Sequence, residues 1–164
     1  MKDRVREAVF NLVGPDVKGT HALDLFAGTG ALGLEAISRG AARATFFEQH
    51  FPTADCIRGN ITALVVDNAC QVVAANTFLA FRRERDLGTA PWLVFCSPPY
   101  DFYVDRLDEM LALLRTLVGK APPGSMFVVE ADARFDYAQL PDELRWDVRE
   151  YPPARIGIGR RQAD

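Results

Sequence analysis

The chain has 164 residues, 49% of them apolar, with 22 Asp and Glu against 19 Lys and Arg and a formal net charge of −3. That length predicts one domain, residues 1–164, with a substantial core, and the acidic balance argues against a broad electrostatic grip on nucleic acid while allowing a local basic face. Without a run of about 18 apolar residues or an apolar stretch behind Met1-Lys2-Asp3-Arg4, neither a membrane span nor a secretory signal is expected. Cys56, Cys70 and Cys96 are odd in number and widely spaced, which argues against a disulfide framework or a zinc site and predicts a cytoplasmic protein.

The spacing of Val5, Ala8, Val9, Leu12 and Val13 predicts a helix over 3–13, with Asp3 as its N-cap and Gly14-Pro15 as its stop. A first strand is expected over 20–26 and a crossover helix over 30–39, closed by Gly40. Ala44 to Phe47 reads as the second strand, ending in Glu48-Gln49. A helix over 52–67 follows, with Ile57, Ile61, Leu64 and Val65 on one face. The third strand covers 71–75, and Asn76 precedes a helix starting at Thr77. Trp92 to Cys96 is a continuous apolar run of the kind buried on both faces, and it leads into Ser97-Pro98-Pro99-Tyr100. An amphipathic helix over 104–118 carries Leu107, Met110, Leu111, Leu114 and Leu117. Met126 to Glu130 is a fifth strand, and 146–151 with 154–159 form a hairpin through Pro152-Pro153. The alternation predicts an α/β fold: a doubly wound, mostly parallel seven-stranded sheet with helices on both faces and a C-terminal antiparallel hairpin.

Within this frame Ala22 to Leu34 joins an apolar strand to a helix through a glycine-dense turn. Gly28, Gly30 and Gly33 match G-x-G-x-x-G, which alone suggests a nicotinamide or flavin site. Asp24 argues otherwise, because a carboxylate just before the turn repels a pyrophosphate and attracts a cation. S-adenosylmethionine has no phosphate and carries an ammonium, a carboxylate and a sulfonium, so an acid beside free backbone N–H groups suits it better. The plainer alternative is a turn that only packs helix on sheet.

Glu48 follows Gly28 by 20 residues, the distance at which an acid meets ribose hydroxyls in nucleotide-binding α/β folds; otherwise it is a surface carboxylate at a strand end. Asn76 has two readings, an adenine contact and a helix N-cap. Asp24, Gly28, Glu48, Asn76 and Ser97 all fall at carboxyl ends of strands, where ligands of doubly wound sheets bind.

The pattern Asp24-x-Phe26-x-Gly28-x-Gly30 resembles motif I of the class I S-adenosylmethionine-dependent methyltransferases. Ser97-Pro98-Pro99-Tyr100 stands where motif IV of the amino-methyltransferases lies, usually Asp or Asn, then Pro-Pro and an aromatic. An exocyclic amine conjugated to a base has a delocalised lone pair. Acceptors on both amine hydrogens, a side chain and the Pro98 carbonyl, would aim that lone pair at the methyl, with Tyr100 stacking on the base. Catalysis would then be chiefly positioning. Without the glycine turn, Pro-Pro-Tyr reads as a rigid turn with local packing.

Nearly the whole chain is similar to the bacterial methyltransferases that modify the N2 amine of a guanine in small-subunit (16S) ribosomal RNA. The residues carrying this are Asp3-Arg-Val-Arg-Glu-Ala-Val-Phe-Asn11, Asp24 through Ala36, Ser38-Arg39-Gly40, Glu48 and the Pro-Pro-Tyr. The resemblance implies a S-adenosylmethionine site lined by Asp24, Phe26, Ala27, Gly28, Thr29, Gly30, Glu48 and Asn76. It implies catalytic residues Ser97, Pro98, Pro99 and Tyr100, and RNA contacts from Arg4 and Arg6. It also implies ribosomal RNA or an assembling 30S particle as partner, with no metal and no membrane.

Two departures from that family stand out. Ser97 replaces its Asp or Asn with a shorter, uncharged hydroxyl, and the chain begins almost without the family's basic, β-rich N-terminal extension. They keep two rivals open: a S-adenosylmethionine-binding module with impaired catalysis, and a methyltransferase for a small-molecule or protein amine. The basic clusters Lys2-Arg4-Arg6, Arg82-Arg83-Arg85 and Arg155-Arg160-Arg161 read most simply as solvated faces.

Overall fold

Alternate residues of the central strands point to opposite faces of one sheet, and nearly all are apolar. The computed structural model describes residues 1–161. In β1 (His21–Asp24), β4 (Trp92–Cys96) and β5 (Met126–Ala131), one face carries Leu23, Trp92, Val94, Phe127 and Val129. Ala22, Leu93, Phe95, Met126 and Val128 occupy the other. With β2 (Arg43–Phe47), β3 (Cys70–Val73), β6 (Arg145–Tyr151) and β7 (Ala154–Arg160), the strand order is β3-β2-β1-β4-β5-β7-β6. Pairing is parallel from β3 through β5. β7 is antiparallel to β5 and to β6, which gives the expected hairpin.

The chain winds outward from β1 to β2 and β3, then returns past β1 to lay down β4. That reversal opens a crevice beyond the carboxyl ends of β1 and β4. One core holds Val9 and Phe10 of α1 (Asp3–Val13), Leu32 and Ala36 of α2 (Ala31–Ser38), and Ile57 of α3 (Phe51–Ala63). The opposite core holds Met110, Leu114 and Leu117, on the helix that follows β4. Gly33 allows α2 to press on β2, since a Cβ there would lie 2.4 Å from the Phe46 ring. Among the described residues no helix is long and apolar enough to cross a membrane.

Several boundaries differ from the sequence reading. Lys2, not Asp3, holds the N-cap position of α1. Asp3 lies in the first turn, where its charge complements the helix dipole, and it bonds Arg6 at 2.9 Å. α3 stops at Ala63 and Val65 turns left-handed (φ 57°), so Leu64 and Val65 are 58% and 84% exposed rather than on the buried face. The helix expected over 104–118 is two, α5 (Phe102–Asp105) and α6 (Leu107–Lys120), broken at Arg106, whose φ and ψ of −131° and 33° are not helical. β1 is assigned only to Asp24, yet the chain beyond it stays tied to the flanking strands, Leu25 N–H donating to the Phe95 carbonyl of β4 and Ala27 N–H to the Phe47 carbonyl of β2.

Candidate active site

The crevice is a cavity of about 760 Å³, in the range of small-molecule sites. One wall is the turn after β1, with Phe26, Ala27, Gly28 and Thr29. Facing it are Glu48 and Gln49 from the end of β2, and Asn76 to Phe78 from the end of β3. The far wall is Ser97 to Tyr100 from the end of β4, with Phe102, Arg106 and Glu130.

Glu48 is fixed by backbone donors on both oxygens: Gly28 N–H at 3.0 Å on Oε1 and His50 N–H at 2.9 Å on Oε2. A carboxylate has about four acceptor sites, so one remains on each oxygen for a ligand hydroxyl. The Gly28 amide is thereby taken by a carboxylate, which makes the turn a poor place for a pyrophosphate.

Asp24, expected beside the ligand, does not line the cavity. It shares the face of Ala22 on the α2 side of the sheet and is 1% exposed, with Oδ2 accepting Gly33 N–H at 3.1 Å and Oδ1 buried without a partner. Burial pushes its pKa up to about 7, opposed by the Gly33 hydrogen bond. Asp24 therefore braces the turn from below, and the argument against a pyrophosphate passes from Asp24 to Glu48. Gly30 is also off the cavity wall. It takes φ 86° as N-cap of α2, where a Cβ would stand 3.2 Å from Ile57.

Asn76 caps α4 (Thr77–Ala80): its Oδ1 accepts Phe78 N–H at 2.9 Å and Leu79 N–H at 3.3 Å, and its Nδ2 donates to Gln49 at 3.1 Å. It lines the cavity with one amide hydrogen left over. Thr77 anchors the same helix by donating to the Leu25 carbonyl.

The four residues Ser97 to Tyr100 lie together on the cavity wall, and a carboxylate absent from the sequence reading joins them. Glu130, 3% exposed at the end of β5, accepts the Ser97 hydroxyl on Oε1 and the Tyr100 phenol at 2.7 Å on Oε2. The Met1 nitrogen stands 3.8 Å from Oε1. Burial, then the hydrogen bond and charge of Glu130, raise the Tyr100 pKa, so the phenol stays a donor. The Pro99 and Tyr100 carbonyls accept the amides of Phe102 and Tyr103, while that of Pro98 accepts nothing among the described residues. Met-Phe-Val-Val-Glu is an apolar strand ending in an acid, as the second strand with Glu48 is, but without the 20-residue spacing from Gly28 that singled Glu48 out.

Phe26, Phe78 and Phe102 form an aromatic ledge with centroids 5.9 to 6.2 Å apart, and the Arg106 guanidinium lies 4.4 Å over Phe78. The sequence reading omitted Phe78, Phe102 and Arg106: the two rings come from short helices without periodicity, and Arg106 stands at the break between α5 and α6. Arg6 reaches the cavity rim but is held by Glu35 and Asp3, each at 2.9 Å. Arg4 is exposed and off the cavity.

The sheet order and the rim cavity define the class I methyltransferase fold. The Escherichia coli methyltransferase candidate yhhF superposes with a TM-score of 0.81 at 26% identity, over 100% of this chain and 88% of that one. A Thermus thermophilus 16S rRNA N2 guanine methyltransferase solved with AdoMet and guanosine shares the fold, with a TM-score of 0.75 at 20% identity over 95% of this chain and 41% of its own. The model of the family described as Conserved hypothetical protein 95 matches residues 1–151, and the chain belongs to that family. In sequence it is 42% identical over 112 residues to Ribosomal RNA small subunit methyltransferase D of Escherichia coli, 68% of this chain and 54% of that protein. The chain spans 54% to 60% of the length of the curated relatives named first by similarity.

Proposed function

We propose that this chain is a methyltransferase domain that uses S-adenosylmethionine to methylate the exocyclic N2 amine of a guanine in small-subunit ribosomal RNA. The carrying observation is one cavity with two unlike ends on adjacent strands. On the β1–β2 side a glycine turn and Glu48 offer close backbone approach and ribose acceptors. On the β4–β5 side Ser97, Pro98, Tyr100 and Glu130 offer acceptors and an aromatic ring. The names of the relatives, an rRNA small-subunit methyltransferase and an N2 guanine methyltransferase, support the substrate.

The residues fit the cofactor. Glu48 retains acceptor capacity for the ribose, and its hold on the Gly28 amide leaves the turn no pyrophosphate site. When bound, S-adenosylmethionine supplies an electrophilic methyl on a sulfonium. Phe26, Phe78 and Phe102 exclude water and bury flat rings, Tyr100 stacks on the base, and the Pro98 carbonyl accepts an amine hydrogen. Arg4 and Arg6 would meet the RNA backbone, in a cytoplasmic protein.

The test is labelled S-adenosylmethionine incubated with 30S particles that lack the modification, followed by nucleoside digestion. Label in N2-methylguanosine is expected. Label in no RNA nucleoside, with S-adenosylmethionine bound, would leave a binding module, and label in another acceptor would move the substrate assignment.

A further inference from the structure

Two carboxylates line the cavity among the described residues, Glu48 and Glu130. Glu48 is tied to the turn of the cofactor side by Gly28 and His50. On the acceptor side, position 97 is a hydroxyl whose hydrogen goes to Glu130, and the Tyr100 hydrogen goes there too. Each Glu130 oxygen thus holds one hydroxyl, Oε1 also faces the Met1 amine at 3.8 Å, and Oε2 keeps acceptor capacity. The anion of the acceptor wall comes from β5, not from β4.

We infer that Glu130 is a catalytic residue of this site: its carboxylate accepts a hydrogen of the substrate amine and takes the proton that methylation releases. This rests on the methyltransferase reading above. As the amine nitrogen attacks, the N–C bond forms, the C–S bond breaks with its electron pair kept by sulfur, and nitrogen gives one proton to Glu130, which returns it to water on product release. Ser97 and Tyr100 hold the carboxylate in place, two hydrogen bonds from two neighbouring positions, so its direction is preorganised. The Pro98 carbonyl, without a partner among the described residues, takes the second amine hydrogen.

The test uses the full chain saturated with S-adenosylhomocysteine, with guanosine and inosine as probes, since these differ by the exocyclic amine. Wild type is expected to prefer guanosine by about tenfold or more, the worth of a hydrogen bond to a charged group. Glu130→Gln is expected to lose that preference while S-adenosylhomocysteine affinity is unchanged, and to lose about a hundredfold in kcat on the RNA substrate. The combined Ser97→Ala and Tyr100→Phe variant keeps the charge but removes the two bonds that orient it, and is expected to lose only part of the preference, less than Glu130→Gln loses. Should Glu130→Gln fail to fold, Glu130→Asp, which keeps the charge one carbon further back, is expected to show the same loss of preference.

Guanosine and inosine bound alike by wild type would overturn the inference, as would full preference and turnover in Glu130→Gln. An equal loss in the Ser97→Ala/Tyr100→Phe variant would show that the carboxylate only positions the two hydroxyls, and would also overturn it. Failure of S-adenosylhomocysteine to bind wild type is a separate result and strikes the methyltransferase reading itself.

Discussion

The Oε1 of Glu48 accepts the Gly28 amide proton at 3.0 Å, which ties the end of β2 to the turn that follows β1. The bond sets the turn and the ribose acceptor in one rigid relation, and it closes the turn to phosphate. Glu48→Ala is therefore expected to weaken S-adenosylhomocysteine binding by about tenfold to a hundredfold, the range for hydrogen bonds to a charged group. Isothermal titration measures this; unchanged affinity would remove Glu48 from the cofactor wall.

Asp24 imposes a pH dependence on stability. Its pKa is near 7 in the folded chain against 3.8 for the ordinary carboxyl, so between those values the folded state holds a proton that the unfolded state has lost. Stability then falls as pH rises from about 4 to 7 and levels off above, by roughly 4 kcal/mol at the outside. Asp24→Asn keeps an oxygen for the Gly33 amide and removes the titration. The variant is expected to match wild type near pH 4 and to melt at higher temperature above pH 7. Parallel melting curves across that range would contradict this account of the buried carboxyl.

Ser97 is the position where the sequence invites repair, because an Asp or Asn there would match the usual amine-methyltransferase pattern. The Ser97–Glu130 hydrogen bond argues for the opposite outcome. Glu130 already receives the Ser97 hydroxyl, so Ser97→Asp places two carboxylates at one site, where they cannot both ionise without cost. Ser97→Asp alone is expected to lower turnover about tenfold or more, and Ser97→Asp combined with Glu130→Gln is expected to recover part of it. Higher turnover from the single variant would show that position 97 acts without Glu130.

Arg4 and Arg6 share a helix but not a role. Arg4 is exposed and makes no ion pair among the described residues, whereas Arg6 bridges α1 to Glu35 of α2. Arg4→Ala is expected to weaken RNA binding and lower its salt slope by about one, with the melting temperature unchanged. Arg6→Ala is expected to cost about 1 kcal/mol of stability as well, since a part-buried link between helices is lost. Equal melting temperatures for the two would contradict the separation.

Much of this was open to reading because the signals are local. Trp92 to Cys96 is apolar throughout with Pro91 before it and Pro98 after, and β4 has those bounds. The hairpin partners around Pro152-Pro153 pair as expected. Helix ends were less legible, since they depend on neighbours. The α3 pattern runs past Ala63 in sequence, but Val65 turns away from the sheet, and Arg106 breaks α5 from α6 while lying over the Phe78 and Phe102 rings. Asp24 shows the limit for site residues. The motif gives its position, whereas strand alternation decides which face it serves, and that face lies under α2. Glu130 was missed because its partners, Ser97 and Tyr100, are 33 and 30 residues away and meet it only once β5 lies beside β4.

The most direct measurement is a crystal structure with S-adenosylhomocysteine. The expected density places the ribose hydroxyls on Glu48, the adenine beside Asn76 and Phe78, and the sulfur toward Ser97, Tyr100 and Glu130. A rim cavity left empty or closed by side chains at saturating ligand, or a ligand bound elsewhere, would contradict the account.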